Sequence, residues 1–273
     1  MIDLAIIIVS YNGRADLARI LDSLSVAPPA TPHQVVVVDN ASSDGSLEMV
    51  RDRFSSVLAI EAGSNLGFSV ANNLGIRNTT SELVLLLNSD TVVPAGAIDR
   101  LVQALRERPD TAIVGPRLVD VHGEPEISFG PMLGPFAELR RQVIETLYRL
   151  GWGPVRRYMI RQLTTPHEVD WVSGACLLVR RADAEKVGLL DERFFLYTED
   201  VDFCASVRAG GRRVCFVPSI EIQHLRGRSR RHDPEASNAA YRRSQLAFYG
   251  KHHPGWLPVL RWYLRIRGRL PRA

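Results

Sequence analysis

Asp90 closes the triplet Asn88-Ser89-Asp90 directly behind the apolar run at residues 83–87, Leu-Val-Leu-Leu-Leu. A carboxylate at the end of a buried strand is costly without a partner. A divalent Mg2+ or Mn2+ carrying a diphosphate is one such partner, because hard cations prefer carboxylate and phosphate oxygens. A turn aspartate capping a helix opened by Pro94 is the other reading. Asp39 stands in the same position behind four valines at 35–38 and is followed by Asn40-Ala41-Ser42-Ser43-Asp44-Gly45. A carboxylate at a strand end accepts hydrogen bonds from a ribose or a base N–H, whereas Ser42, Ser43 and Asp44 suit turns and helix caps.

Two further clusters lie downstream. Thr198-Glu199-Asp200-Val201-Asp202 places three carboxylates within four residues. The first turn of a helix tolerates them best, with Thr198 as N-cap. Residues 199 and 202 share a helix face and 200 points elsewhere, so one carboxylate can be structural while another faces a substrate. Clustering raises an acid's pKa toward the range of a general base; an ordinary acidic first turn is the plainer alternative. His224 opens Leu225-Arg226-Gly227-Arg228-Ser229, a basic loop suited to a diphosphate, although a lone histidine also serves structure.

The elements that must hold these clusters follow from periodicity. Continuous apolar runs at 4–9, 35–38, 57–60 and 83–87 predict buried parallel strands. Apolar spacing of three and four predicts helices over 14–24, 47–54, 68–77 and 94–106. Strands alternating with helices define an α/β fold with a mostly parallel sheet. Ligands in such sheets bind beyond the carboxyl ends of the strands. Ser10-Tyr11-Asn12, Asp39-Asn40 and Asn88-Ser89-Asp90 all fall there. Farther on, residues 120–135 read as a loop or hairpin and 135–150 as an amphipathic helix. Residues 169–180 read as a strand broken at Gly174, 198–209 as a helix, and 213–217 as a strand ending at Pro218. Basic helices are predicted over 236–251 and 256–267.

The 273 residues carry a formal net charge of +4, but residues 226–273 alone carry +10 and residues 1–225 carry −6. That asymmetry points to an anionic partner for the tail or to a solvated basic helix pair. Tryptophans, leucines and arginines alternate over 256–265. This pattern suits a membrane interface, or a helix docked on the body with its arginines outside. A nucleic acid would leave the carboxylate clusters unexplained, so none is expected. Three cysteines in apolar runs predict buried free thiols and a reducing compartment. No apolar run reaches 18 residues, so no membrane span is expected. Neither GxxxxGK[ST] nor GxGxxG occurs, which removes the P-loop and dinucleotide readings.

Seven segments in order carry a resemblance: IIIVSYN at 6–12, VVVVDNASSDGS at 35–46, NLGFSVANNLGI at 65–76, LLLNSD at 85–90, WVSGACLLVRR at 171–181, DERFFLYTEDVDFC at 191–204 and HLRGRS at 224–229. Together they resemble the inverting family 2 glycosyltransferases, in particular their rhamnosyltransferase-like branch, over about residues 3–252. The resemblance implies a GT-A fold: a Rossmann-like nucleotide half at about 1–115, an acceptor half at about 116–230, and here a basic helical tail at 231–273. It implies that Ser10, Tyr11, Asn12 and Asp39 hold the nucleoside, that Asn65, Gly67 and Asn72 line the donor pocket, and that Asn88, Ser89, Arg226, Arg228 and Ser229 adjoin the diphosphate. Asp90 matches the last position of the family's DxD motif, but Asn88 replaces its first aspartate. His224 completes the metal site in some relatives. Asp200 matches the catalytic base, with Glu199 the alternative, and Trp171, Gly174 and Ala175 would face the acceptor.

The implied reaction moves a sugar, with inversion, to a hydroxyl of a glycan or polyprenyl-linked acceptor in cell-envelope polysaccharide synthesis. L-Rhamnose from dTDP-rhamnose is favoured over UDP or GDP donors. The expected location is the cytoplasm, at the inner face of the cell membrane. Two rivals stand beside this: a catalytically degenerate sugar-binding scaffold, and a sugar nucleotidyltransferase. The latter would show a glycine-rich basic loop where this chain has Ser10-Tyr11-Asn12-Gly13-Arg14.

Overall fold

The computed structural model describes residues 2–126, 128–225 and 234–271. Strands β1 (Leu4–Ser10), β2 (His33–Asp39), β3 (Leu58–Glu61) and β4 (Leu83–Leu87) alternate with helices α1 (Arg14–Val26), α2 (Ser46–Arg53) and α3 (Gly67–Arg77). These four strands are mutually parallel in the order β3-β2-β1-β4. Their β-branched runs alternate between the two sheet faces, as a strand's period of two requires. Leu4, Ile6 and Ile8 pack with Leu17, Ile20 and Leu21 of α1 on one side. Ala5 and Ile7 pack with Ala71 and Ile76 of α3 on the other. Two apolar layers therefore clamp the sheet, and the polar residues that follow each strand are left at its carboxyl edge.

Beyond β4 come β5 (Thr91–Val92), α4 (Ala97–Arg106) and β6 (Thr111–Val119). Helix α4 opens behind Gly96 in a left-handed conformation, three residues after the predicted start at Pro94. Then follow β7 (Phe129–Gly130), α5 (Ala137–Arg149), α6 (Gly153–Thr164), β8 (His167–Glu168), β9 (Trp171–Val172), β10 (Cys176–Arg180), α7 (Arg181–Lys186), α8 (Glu199–Ala209), β11 (Arg213–His224), α9 (Pro234–His252) and α10 (Leu257–Ile266). The full sheet runs β3-β2-β1-β4-β10-β6-β11-β5, with β8 also on β11. β10 lies antiparallel to both neighbours, so the sheet is parallel in its first half and mixed in its second.

Two expectations change here. Residues 169–180 are not one strand broken at Gly174: β9 pairs with β7 in a separate two-stranded sheet, and only β10 joins the large sheet. Residues 173–175 are thus a connection between sheets. Pro218 does not end β11. The pairing with β6 shifts between Val217 and Glu221, and the strand resumes for Glu221, Ile222 and Gln223. A bulge absorbs the proline that a regular ladder would reject. The continuation carries His224 to Thr91 of β5. Helix α6 has no counterpart in the sequence reading. Cys176 and Cys204 are buried and Cys215 half-buried, all unpaired.

Candidate active site

The β1–β2 register sets Ser10 opposite Asp39 at the carboxyl edge. Both are buried. Asp39 accepts the Ser42 N–H through Oδ2 at 2.9 Å. Its Oδ1 and the Ser10 hydroxyl have no hydrogen-bond partner. Buried polar atoms are almost always paired, so two adjacent orphans mark a place shaped for ligand donors and acceptors. Tyr11 is exposed beside them. Asn12 ties the two edge loops together: its N–H donates to Ser42 Oγ at 2.9 Å and its Oδ1 accepts the Ser43 N–H at 2.8 Å. Asp44 accepts the Arg14 and Ser46 N–H groups, the turn role read for it from sequence.

Asn40, which sequence placed at the strand-end edge without giving it a role, organises the next loop. Its side chain accepts the Leu66 N–H at 2.8 Å and donates to Asn65 Oδ1 at 2.9 Å, and that oxygen also accepts the Gly67 N–H. Asn65 and Gly67 are thereby brought against the Asp39–Asn40 edge. Asn72 is not: it is buried within α3 and donates to the Phe68 carbonyl at 2.9 Å. Gly67 has φ +81, and a Cβ there would lie 2.5 Å from the Phe195 carbonyl oxygen, so only glycine fits.

At the end of β4, Asp90 meets His224. Asp90 Oδ1 lies 3.2 Å from His224 Nε2, and Glu126 Oε2 lies 2.9 Å from Nδ1. The Leu225 N–H donates to the Asp90 carbonyl, which locks the two ends together. Asp90 is not a cap: α4 begins behind Gly96 with no side-chain cap bond. Burial opposes charge on His224, but the two carboxylates outweigh it and hold its pKa above the ordinary histidine value. Glu126 lies in the Gly- and Pro-rich stretch 120–135 and was missed, because no local pattern relates it to a histidine 98 residues away.

This donor set fits a divalent cation. One carboxylate oxygen and one imidazole nitrogen sit within hydrogen-bond distance, and a second carboxylate holds the far ring nitrogen, as metal-bound histidines commonly require. Among the described residues no group of three such side chains surrounds a common point, so phosphate or water oxygens would have to complete the coordination. Asn88 and Ser89 are half-buried beside Asp90. Ser89 Oγ and Ser10 Oγ both come within 4.0 Å of a Cβ built on Gly13, so the two strand ends face one space. Arg226, Arg228 and Ser229 lie outside the described residues.

The third group is at the start of α8. Asp200 accepts the Gly174 N–H through Oδ2 at 2.9 Å and the Val201 N–H through Oδ1 at 2.8 Å. One residue on, the Ala175 carbonyl accepts the Asn88 N–H at 2.9 Å. The 173–175 connection therefore links the Asp200 turn to the Asp90 turn directly. A Cβ on Gly174 would stand 3.3 Å from that of Asp200 and 3.5 Å from the Phe68 ring. Burial raises the pKa of Asp200 against the two N–H donors. Burial, and then the neighbouring Asp200 charge, push Glu199 well above the carboxylate range. Glu199 Oε2 is buried without a partner.

Thr198 occupies the N-cap position but does not cap. It is left-handed, φ 62, and its buried hydroxyl has no partner. Tyr197 before it has φ 70. Successive left-handed non-glycine residues store strain and concentrate at functional sites; Asn12 and Ala41 do the same at the β1 and β2 edge. Trp171 spends its indole N–H on the Pro131 carbonyl at 2.9 Å. Asp202 leaves the site: it is buried between His252 Nε2 at 2.6 Å and Lys251 Nζ at 2.8 Å, both on α9.

A Rossmann-like parallel half joined through an antiparallel strand to a second half, with carboxylates converging where the halves meet, is the GT-A fold of glycosyltransferases. Two solved structures share it. One is the mannosyltransferase PcManGT from Pyrobaculum calidifontis in complex with GDP-Man and Mn2+ (TM-score 0.63, 18% identity, 94% of this chain and 67% of that one). The other is GalNAc-T7 with UDP, GalNAc and Mn2+ (TM-score 0.62, 16% identity, 83% and 43%). Residues 3–250 match the family described as "Glycosyltransferase like family 2", and the chain belongs to glycosyltransferase family 2. Among its relatives, the N-acetylglucosaminyl-diphospho-decaprenol L-rhamnosyltransferase of Mycobacterium tuberculosis is 33% identical, over 96% of this chain and 89% of its own. The rhamnosyltransferase WbbL of Escherichia coli is 23% identical over 80% and 82%.

Proposed function

We propose that this glycosyltransferase moves an L-rhamnosyl group from dTDP-rhamnose, with inversion, to a hydroxyl of a polyprenyl-diphosphate-linked glycan in cell-envelope polysaccharide synthesis. The observation that carries the reading is the 173–175 connection, which bonds Asp200 on one side and the Asp90 turn on the other. A base and a diphosphate site joined this closely suit a single displacement between acceptor and donor. The likeness to a decaprenol-linked rhamnosyltransferase supports the sugar and the acceptor class.

In this reading the unpaired Ser10 hydroxyl and Asp39 Oδ1 receive the pyrimidine and ribose, with Tyr11 beside them. Asp90 and His224 would hold a Mg2+ or Mn2+ ion at the diphosphate, and the ion would neutralise charge growing on the leaving group. Glu126 fixes the His224 ring. Asp200 takes the proton of the acceptor hydroxyl, whose oxygen then attacks the anomeric carbon from the face opposite the diphosphate. One C–O bond forms as the other breaks, so no protein nucleophile is required. Burial and the neighbouring Asp200 charge both favour the protonated form of Glu199, which in this reading leaves Asp200 to take the acceptor's proton. No helix among the described residues is long and apolar enough to cross a membrane.

The test is calorimetric titration with dTDP, UDP and GDP, each with Mn2+ and with EDTA. Metal-dependent binding of dTDP in preference to the others is expected. Binding of UDP or GDP instead would change the donor, and binding of none would favour the catalytically degenerate scaffold, the reading to which the loss of an aspartate at Asn88 lends weight.

A further inference from the structure

A helix docked on a protein body ordinarily buries one stripe and turns polar side chains outward. Helix α10 does the first and not the second. Its inner stripe is Leu257, Leu260 and Leu264, spaced three and four apart. Leu264 is fully buried, and Leu257 and Leu260 pack against Phe194, Val201, Phe248 and Tyr249. Val259, Trp262, Tyr263 and Ile266 repeat the same spacing on the opposite side of the helix. Trp262 is 65% exposed and Ile266 64%. Arg261 and Arg265, one turn apart and exposed, flank this outer stripe. The Arg267 guanidinium lies over the Tyr263 ring, 5.7 Å from its centroid. The apolar surface continues past the helix start, where the exposed rings of Trp256 and Phe136 meet edge to face at 5.5 Å.

Sequence offered two readings of this helix: docked with arginines outward, or lying in a membrane interface. The helix is docked, yet its outward face is aromatic and aliphatic with arginines at the flank. We infer that the outer stripe of α10, with Trp256 and Phe136, enters the headgroup layer of a bilayer containing anionic phospholipid, its arginines on the phosphates. Interfacial helices have this composition: aromatic and branched side chains to the acyl boundary, cations beside them. The surrounding charge agrees, since residues 226–273 carry +10. The purpose of the contact rests on the lipid-linked acceptor proposed above; the surface itself does not. The same face is joined to the candidate base by continuous packing. α10 packs on α9, and Lys251 and His252 of α9 grip Asp202, two residues from Asp200 on α8.

The test uses the full chain with vesicles of phosphatidylcholine alone or of an equal mixture with phosphatidylglycerol, at low and high salt. Co-sedimentation with the anionic vesicles, weakened by salt, and quenching of tryptophan emission by brominated acyl chains are expected. Trp262→Ser with Ile266→Ser should lower partitioning at least about tenfold. Arg261→Gln and Arg265→Gln should each lower it about fivefold. Unchanged melting of these variants, whose side chains point outward, separates lost binding from lost folding. No association with either vesicle, or variants that bind like the parent, would overturn the inference. So would a dimer in sedimentation that Trp262→Ser dissociates, which would assign the stripe to a second copy. Nucleotide titration of the same proteins keeps the two readings apart: lipid binding without nucleotide binding sinks the transferase proposal alone, and the reverse sinks this one alone.

Discussion

Glu199 and Asp200 are neighbours with divided tasks, and each makes its own prediction. Asp200 is held by two backbone N–H groups with its carboxylate on the 173–175 connection. Asp200→Asn keeps that shape and removes the proton acceptor. Turnover should fall about 10²–10⁴-fold, the usual contribution of a positioned base, while metal-dependent nucleotide affinity is retained. Rapid-quench turnover beside calorimetry checks it; equal loss of both would remove the base role. Glu199 predicts a pH effect. Its pKa is raised in the folded chain, so the folded state keeps a proton that the unfolded chain has lost. Stability is then fullest below the unfolded value, about 4.3, and falls as pH rises from there toward the folded value. Glu199→Gln removes that slope. In thermal melts the variant should match the parent near pH 4 and gain on it toward neutrality. An advantage independent of pH would contradict the assignment.

Single elements are held in place by two close contacts. At the N-terminus of α3, Gly67 lies under the Phe195 carbonyl, which also accepts the Phe68 N–H at 2.7 Å. Gly67→Ala adds left-handed strain of about 1–2 kcal/mol and a backbone clash that must displace the 191–198 segment. A loss of at least about 2 kcal/mol in denaturant unfolding is expected, with nucleotide binding weakened as the turn shifts. Between α8 and α9, Asp202 is 1% exposed and bonded to both Lys251 and His252. Deleting Asp202 removes charge-assisted hydrogen bonds to both partners, each worth about 1.5–3 kcal/mol. Asp202→Ala should therefore unfold at much lower denaturant than the parent. An isolated loss of activity at full stability would show that the grip is not structural.

For the whole molecule, the same arithmetic makes the tail part of the fold. α9 covers Phe194 and Val201 with Phe248 and Tyr249, and its Ser244 hydroxyl donates to the Leu196 carbonyl at 2.8 Å. Stripping α9 and α10 exposes at least two large apolar side chains, each worth about 1.5–3 kcal/mol, and orphans Asp202. The total rivals the 5–15 kcal/mol that ordinarily separates folded from unfolded domains. A chain ending at residue 233 should lack a cooperative melt and be cut rapidly by protease near residues 191–198. A stable, compact truncated chain would show the tail to be a separable appendage.

The order of the first four strands with their helices, and the strand-end placement of Ser10, Asp39 and Asp90, were legible in the sequence. Buried parallel strands advertise themselves as unbroken β-branched runs, and their carboxyl ends must meet at one edge. The acidic first turn of α8 was legible for a similarly local reason, as was the division between Asp200 and Asp202. What no local pattern carried were the long-range pairings: Glu126 on His224, Asn40 on the 65–67 loop, and Lys251 with His252 on Asp202. Nor did it carry the bulge that takes β11 past Pro218, since a proline at a strand end and a proline in a bulge read alike. Sequence left α10 either docked or in a membrane interface, and only the packing of Leu257, Leu260 and Leu264 showed which apolar face is buried and which is left outward. Side chains 25–98 residues apart meet by the packing of sheet and helices, and that packing decided which carboxylates became site and which became scaffold.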